Sequence, residues 1–324
     1  MLSVETASAA MVELLDPERN ASVLISGQRA ASLGLGNAGV AGDLVQPVQL
    51  QRTDWLDRGS IRALADPALD FDRGPIGPLT AEPLLAPEEA GAAIALARLS
   101  GILPALWLVN GAAETATSVT AAEVRNSLRH SKATIVARAK LPLDGLPPSQ
   151  MITFRDQATG EDHVALVIGA FAGEPPLVRL HSECLTGDVF GSLKCDCGPQ
   201  LKEALAILGR EGGGVLLYLR QEGRGIGLAN KLRAYELQDR GLDTVEANRR
   251  LGFADDERDY GVAASMLRAL GIASVRLLTN NPAKVEGLRH EGIAVEARVA
   301  HHMPTNPHNA DYIATKKHKS GHLP

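Results

Sequence analysis

The sequence predicts an α/β protein of two domains. Strand-like and helical segments alternate through the second half, as they do where helices cover a sheet. The halves also differ in composition. Residues 1–129 contain no histidine, cysteine or lysine, and all nine histidines fall from His130 onward. Between them, AKLPLDGLPPSQ (139–150) is interrupted by prolines and glycine. The expected domains are therefore 1–139 and 140–324. A chain of 324 residues is long enough for two cores.

In the first part SVLIS (22–26) reads as a strand. PEEAGAAIALARLSG (87–101) reads as a helix with Pro87 and two glutamates in its first turn and Gly101 as its stop. ALWLV (105–109) reads as the strand that follows. No period marks a repeat array. In the second part HVALVIG (163–169) and LVRLH (177–181) are strand-like. Leu201, Ala204, Leu205 and Leu208 have helical spacing. VLLYL (215–219) is a strand of the fully buried type. LANKLRAYELQDRG (228–241) is a helix with Gly241 just past its end. Ala263, Met266, Leu267 and Leu270 mark another helical face. SVRLLT (274–279) is a strand, followed by a helix from Pro282.

Composition narrows the function. Apolar residues make up 45% and charged residues 22%, with a net charge of −5. That argues against a nucleic-acid binder, which carries a basic excess. It leaves room for a small anion held by a few local arginines. The N-terminus has acids early and no basic start, unlike a signal peptide. The most apolar stretch (90–109) contains Arg98, Ser100, Gly101 and Pro104, so it does not read as a membrane span. The expected location is the cytoplasm, with no membrane partner. There, clustered cysteines are more often metal ligands or catalytic thiols than disulfides.

All three cysteines lie in HSECLTGDVFGSLKCDCG (181–198), as Cys184, Cys195 and Cys197. Thiolates suit zinc, and three protein ligands leave a fourth position for water, whose pKa zinc brings down to about 7. Two other readings compete. His181 as a fourth ligand would close the site and make it structural, or the cysteines are apolar filler. Zinc-dependent base deamination places H-x-E before P-C-x-x-C. Here the pair is C-x-C and no proline precedes it.

Three further segments suit a polyphosphate. RQEGRGIGLANK (220–231) follows a strand, leads into a helix and offers Arg220, Arg224 and Lys231. It also reads as an ordinary glycine-bearing turn. TNNPAK (279–284) offers Thr279 and Lys284, or is a simple N-capped helix start. ADDERDY (254–260) offers a general base and Arg258 as a phosphate partner, or is a solvated first turn. Tyr235 shares a helical face with Leu228 and Leu232, so a core role competes with a catalytic one. His301 and His302 could ligate a second metal, although an exposed loop pair is the expectation.

Together RLHSECLTGDVFGSLKCDCGPQL (179–201), the run from LYLRQEGRG to FADDERDY (217–260), VRLLTNNPAKVEGL (275–288) and TKKHKSGHL (315–323) resemble GTP cyclohydrolase II. The resemblance runs from about residue 150 to the end. It implies a mixed-sheet α/β catalytic domain that opens the imidazole ring of GTP, releasing formate and pyrophosphate. The product would be a diamino-ribosylamino-pyrimidinone phosphate, at the first committed step of riboflavin synthesis. It implies one Zn2+ per chain on Cys184, Cys195 and Cys197, Mg2+ with the triphosphate, and a homodimer. Asp256 matches the proton acceptor, Arg258 the residue proposed as nucleophile towards the α-phosphate, and Tyr235 a tyrosine near the guanine ring. Arg179, Leu180, His181, Ser182 and Glu183 match a GTP-binding segment. Gln200, Glu222, Gly223, Arg224, Thr244, Thr279 and Lys284 match further GTP contacts. The alternatives are a nucleotide-binding regulator that lost turnover, a relative acting on another substrate, or one stopping at a formylated product. RVAHHMPTNPHN (298–309) departs from the family's more apolar run.

QRAASLGL (28–35) and LTAEPLLAPEEAGAAIALARLSGILPALWL (79–108) resemble worn segments of a dihydroxybutanone-phosphate synthase domain. The acidic metal-binding run and the Gly-His-Thr segment of that family are absent. The expectation for the first domain is a degenerate α/β fold without synthase activity.

Overall fold

The structure is a computed structural model that describes residues 1–35, 46–74, 77–109, 117–129, 132–171, 175–301, 303, 306–307, 309 and 321. The chain divides into two compact units. One comprises Met1–Asn126 and Ile226–Glu257, the other Ser127–Gly225 and Arg258–Pro324. The first unit therefore recruits a segment from within the half read as the second domain. The stretch 139–150 joins two strands of a hairpin within the second unit.

The first elements in the chain are β1 (Leu2–Ser3), α1 (Ala9–Leu15), β2 (Ser22–Ile25), α2 (Gly27–Ser32), β3 (Val48–Leu50), α3 (Arg58–Ala65), β4 (Ala81–Glu82), α4 (Pro87–Leu99), β5 (Ala105–Leu108) and α5 (Ala121–Arg129). The strands form an antiparallel sheet in the order β1-β5-β2-β3-β4. α4 lays Ala90, Ala93, Ile94 and Ala97 against Leu24 and Leu106 on one face. Alternate residues Val23, Ile25 and Trp107 turn to the other face, toward Ile61 and Leu64 of α3.

The second unit carries β6 (Ala133–Lys140), β7 (Ser149–Asp156), β8 (Asp162–Gly169), β9 (Leu177–Ser182), α6 (Cys197–Arg210) and β10 (Gly213–Leu219). α7 (Gly227–Asp239) and α8 (Thr244–Arg250) then belong to the first unit. There Ala234, Leu237, Ala247, Leu251 and Phe253 form a small core with Leu103. Arg98 ties this segment in by donating to the carbonyl of Gly252 at 2.9 Å. The chain finishes the second unit with α9 (Gly261–Ala269), β11 (Ser274–Leu278), α10 (Pro282–His290) and β12 (Ala294–Val299).

The second sheet has the order β12-β11-β9-β10-β8-β7-β6. The first four strands are mutually parallel and the rest antiparallel. β10 is almost wholly buried, as a central strand covered on both faces must be. Val215, Leu217 and Leu219 meet α9 and α10, whereas Leu216 and Tyr218 turn toward Ala204 and Leu208 of α6. β7 alternates, with Ile152 and Phe154 inward and Met151 exposed. The mixed-sheet α/β architecture expected of the C-terminal half is therefore present. So are all the strands and helices read from the sequence, including those of the N-terminal α/β part. Among the described residues no helix is long and apolar enough to cross a membrane.

Candidate metal centre and anion site

The parallel strands β9, β10, β11 and β12 end side by side, at the edge of an α/β sheet where ligands bind. β9 delivers Cys184 just past its end. A single tight turn follows at Leu185–Val189, closed by the N–H of Asp188 donating to the carbonyl of Cys184 at 2.7 Å. The chain then returns to place Cys195 beside the start of α6, whose first residue is Cys197. The three sulfurs lie within 4.8 Å of one another, and those of Cys184 and Cys195 are 3.6 Å apart. Two sulfurs bonded tetrahedrally to one zinc at about 2.3 Å would stand roughly 3.8 Å apart. Gly187 leaves the room: a Cβ there would come within 2.7 Å of Cys195 Sγ and 3.1 Å of Cys184 Sγ. The hydrogen bond from Cys184 raises the Cys195 pKa first, with burial adding to it. A bound cation would relieve that crowding of sulfurs. The donor set therefore fits a soft divalent metal.

His181 does not join these sulfurs as a fourth ligand. Its Nε2 sits 3.0 Å from Asp188 Oδ2, and its ring stacks on Tyr218 at 5.5 Å. Burial pulls its pKa below the ordinary value, against the pull of Asp188. Asp188 was not legible as a functional residue; in LTGDVFG it reads as a turn former. The fold buries it as a hub that also accepts from the backbone N–H of Cys184 at 3.0 Å and from Tyr218 Oη at 2.9 Å. Burial, helped by Asp188, pushes the Tyr218 phenol well above its ordinary range, so it donates as a neutral hydroxyl.

Two buried cations lie on or against β9. Arg179 shares a face of β9 with His181 and gives Nη1 to the carbonyl of Leu278 at 3.0 Å and Nη2 to Gln200 Oε1 at 2.6 Å. Burial pulls it down to about 10, which leaves it charged at neutral pH. Gln200 is fixed in turn by Asp196. Lys284 Nζ donates to the carbonyl of Leu180 at 2.6 Å. The Leu180 side chain is in the core, so only its backbone faces this cluster. Thr279 is 1% exposed and its hydroxyl accepts from the N–H of Asn281, the residue that caps α10. Ser182 Oγ is buried without a hydrogen-bond partner among the described residues, and Glu183 meets Arg220 at 3.3 Å.

The turn after β10 is held open by unusual backbone. Gly223, Arg224 and Gly225 have φ of 64°, 63° and 91°. Glycine takes that conformation freely, but for Arg224 it stores strain of roughly 1–3 kcal/mol, a mark of functional loops. Glu222 accepts from the N–H of Leu185 at 2.7 Å and from its neighbour Gly223 at 3.0 Å. His163 Nδ1 accepts the N–H of Arg220 at 3.0 Å and fixes where the loop begins. No motif contains His163, so only the fold reveals this role.

Lys231, Tyr235, Thr244 and Asp256 lie in the first unit, whereas the other expected site residues lie in the second. On α7, Leu228 and Leu232 are 37% and 51% exposed, so the face they share with Tyr235 is not core. Lys231 Nζ stands 5.6 Å from the centre of the Tyr235 ring. Thr244 opens α8, which Asp243 caps, and its hydroxyl accepts from Gln238. ADDERDY forms a loop rather than a first helical turn. Asp256 is exposed there, and in the second unit Arg258 lies 5.7 Å over the Tyr260 ring. His301 corrects an expectation: it is 3% exposed, not an exposed loop residue. His302 and TKKHKSGHL apart from Gly321 lie outside the described residues.

Comparison with known proteins agrees with this geometry. The family model described as GTP cyclohydrolase II matches residues 134–300. A GTP cyclohydrolase-2 from Azospirillum brasilense is 46% identical over 290 residues, covering 85% of this chain and 75% of that protein. One from Pseudomonas putida (strain W619) is 59% identical over 189 residues, covering 58% of this chain and 92% of its own length. A riboflavin biosynthesis protein RibBA from Bacillus mycoides is 63% identical over 164 residues, half of this chain and 41% of that one. A solved two-domain 3,4-dihydroxy-2-butanone 4-phosphate synthase from A. baumannii overlaps 92% of the chain and 90% of its own, at 15% identity and a TM-score of 0.29. A likeness that loose carries no argument about either unit. The matched span holds the thiol cluster, the buried cations and the strained loop, and the chain belongs to the GTP cyclohydrolase II family.

Proposed function

We propose that this enzyme hydrolyses GTP with a zinc ion held by Cys184, Cys195 and Cys197, releasing formate and pyrophosphate and forming the diaminopyrimidinone of riboflavin synthesis. The observation that carries the reading is the three-thiol cradle at the carboxyl ends of parallel strands, with no fourth His, Cys, Asp or Glu grouped with it among the described residues. When bound, zinc supplies a Lewis acid that makes water nucleophilic near neutral pH.

The chain's own side chains do the rest. Arg179 and Lys284 hold positive charge in a poorly solvated place, where it attracts a triphosphate strongly. Mg2+ accompanies the triphosphate and shares its charge. Glu222 recognises the guanine N1–H and 2-amino edge, because a carboxylate accepts two parallel hydrogen bonds. In the free protein its oxygens already accept from Leu185 and Gly223, so it is oriented before the base arrives. Arg224, held in a strained turn, adds a cation on the same loop. Ser182, Glu183, Gln200, Gly223, Thr244 and Thr279 complete the nucleotide contacts. Asp256 accepts a proton, Tyr235 stands by the guanine ring and Arg258 serves the α-phosphate. These last three roles, and that of Thr244, rest on the resemblance alone. The protein acts in the cytoplasm as a homodimer, and the N-terminal unit is degenerate and without synthase activity.

The test is to incubate GTP with the zinc-loaded protein and identify the products by mass. Formate, pyrophosphate and the deformylated pyrimidine are expected. Cys195→Ser is expected to lose zinc and to abolish formate release. Wild-type formate release by that variant would refute the reading.

A further inference from the structure

His301 is buried, yet neither of its ring nitrogens has a hydrogen-bond partner among the described residues. Buried polar atoms almost always have one, so an orphan calls for a ligand or a reason. Its position is not loose. Its backbone N–H donates to Asn280 Oδ1 at 2.9 Å, and its carbonyl accepts from Asn280 Nδ2 at 2.8 Å. Both ends of one carboxamide thus clamp His301 just beyond β12. Asn280 itself follows Thr279 at the end of β11, on the sheet edge that carries Cys184.

The charged and titratable groups that act on His301 are Arg179, His181, Asp196 and Lys284. Two are cations and one is a carboxylate, so the surroundings favour an anion. Burial first, then Arg179, pulls the imidazole down to about 3. It is therefore neutral at pH 7, with one nitrogen carrying a hydrogen to donate. A neutral donor set among cations suits a phosphate oxygen, since it adds a directed hydrogen bond without further charge repulsion.

We infer that His301 is a substrate-binding residue that donates its ring N–H to a phosphate oxygen of the nucleotide. This rests on the reading that the site takes a nucleoside triphosphate.

The test compares the purified wild type with His301→Phe, which keeps ring bulk and removes both nitrogens, and with His301→Gln, which keeps a donor. KM for GTP and the Kd of inorganic triphosphate are measured with zinc content and melting temperature. In His301→Phe both constants should rise roughly tenfold or more, as loss of a hydrogen bond to a charged group implies. kcat should stay within about threefold, zinc content should be unchanged, and His301→Gln should recover part of the affinity. The inference is overturned if both constants in His301→Phe stay within about twofold of wild type. It is equally overturned if KM rises while the triphosphate Kd does not, or if both variants lose zinc and cooperative melting together. A wild type that binds triphosphate but releases no formate would sink the cyclohydrolase reading, while the Kd ratio would still decide the role of His301.

Discussion

Gly187→Ala isolates the space inside the thiol cradle. Gly187 lies outside the left-handed region, so an alanine meets no φ penalty there. The added methyl would meet Cys195 Sγ at 2.7 Å, Cys184 Sγ at 3.1 Å and Cys197 Cβ at 3.1 Å. To reach the 3.4 Å at which ordinary contact begins, the first gap must open by about 0.7 Å. Metal–ligand distances tolerate only about 0.2 Å. A sulfur held by a metal cannot rotate aside without leaving it, so the ligand geometry or the turn must give. Overpacking of this kind costs roughly 1–3 kcal/mol. Because the displaced atoms are the proposed zinc ligands, that cost falls on metal binding as an expected loss of roughly 5- to 150-fold in zinc affinity. Metal-free protein can let a thiol swing aside, so its melting temperature should change less than its affinity. The assay is competition for zinc against a chromophoric chelator at fixed pH, alongside thermal melts of the metal-free protein. Zinc affinity within about twofold of wild type would refute the cradle geometry.

Three other outcomes are expected. Asp188→Asn keeps the shape of the hub but leaves one oxygen where two served His181, Cys184 and Tyr218. It should weaken zinc binding by roughly 10- to 100-fold, as loss of a group that orients a ligand does. Tyr218→Phe removes one hydrogen bond and should cost only about 1 kcal/mol in denaturant melts. Asp70 concerns the first unit, where it pairs with Arg29 at 2.6 Å and with Arg73 at 2.9 Å. Burial pushes the Asp70 carboxyl up, but the bonds and charges of Arg29 and Arg73 outweigh it and hold it below its ordinary value. A depressed carboxylate stabilises fully above its unfolded pKa, about 3.9, and loses that stabilisation as pH falls through the folded value. Asp70→Asn should cost about 3–5 kcal/mol at pH 7, with the gap to wild type narrowing toward pH 3. Trp55 and Trp107, the chain's two tryptophans, both lie in this unit, so their fluorescence in urea melts reports it directly.

What the sequence discloses here follows the range of the interaction. β10 shows as an uninterrupted apolar run, and α6 as leucines at helical spacing, because each is specified by neighbours in the chain. The cysteines show because C-x-C geometry is local. The allegiance of α7 and α8 does not. It depends on Arg98 reaching Gly252 and on Asn230 Nδ2 donating to the carbonyl of Gly101 at 2.9 Å, pairings across more than a hundred residues. A linear reading cannot find a domain that borrows a distant segment. The prolines and glycine of 139–150 mark a real interruption, but an interruption serves a hairpin as well as a linker.

Asp188 and His301 show a second limit. In the chain one is a turn residue and the other part of an irregular tail, so neither periodicity nor spacing marks it. Each gains meaning from burial, which turns a polar side chain from a solvated ornament into a group that must be satisfied. Asp188 is satisfied by three protein donors and so orders the turn that carries Cys184. His301 has no such partner within the described chain, although Asn280 holds it in place. The same physical requirement, applied to two buried residues at one sheet edge, makes the first a support for the thiol cluster. It leaves the second with a hydrogen bond to offer, which the cations around it direct toward an anion.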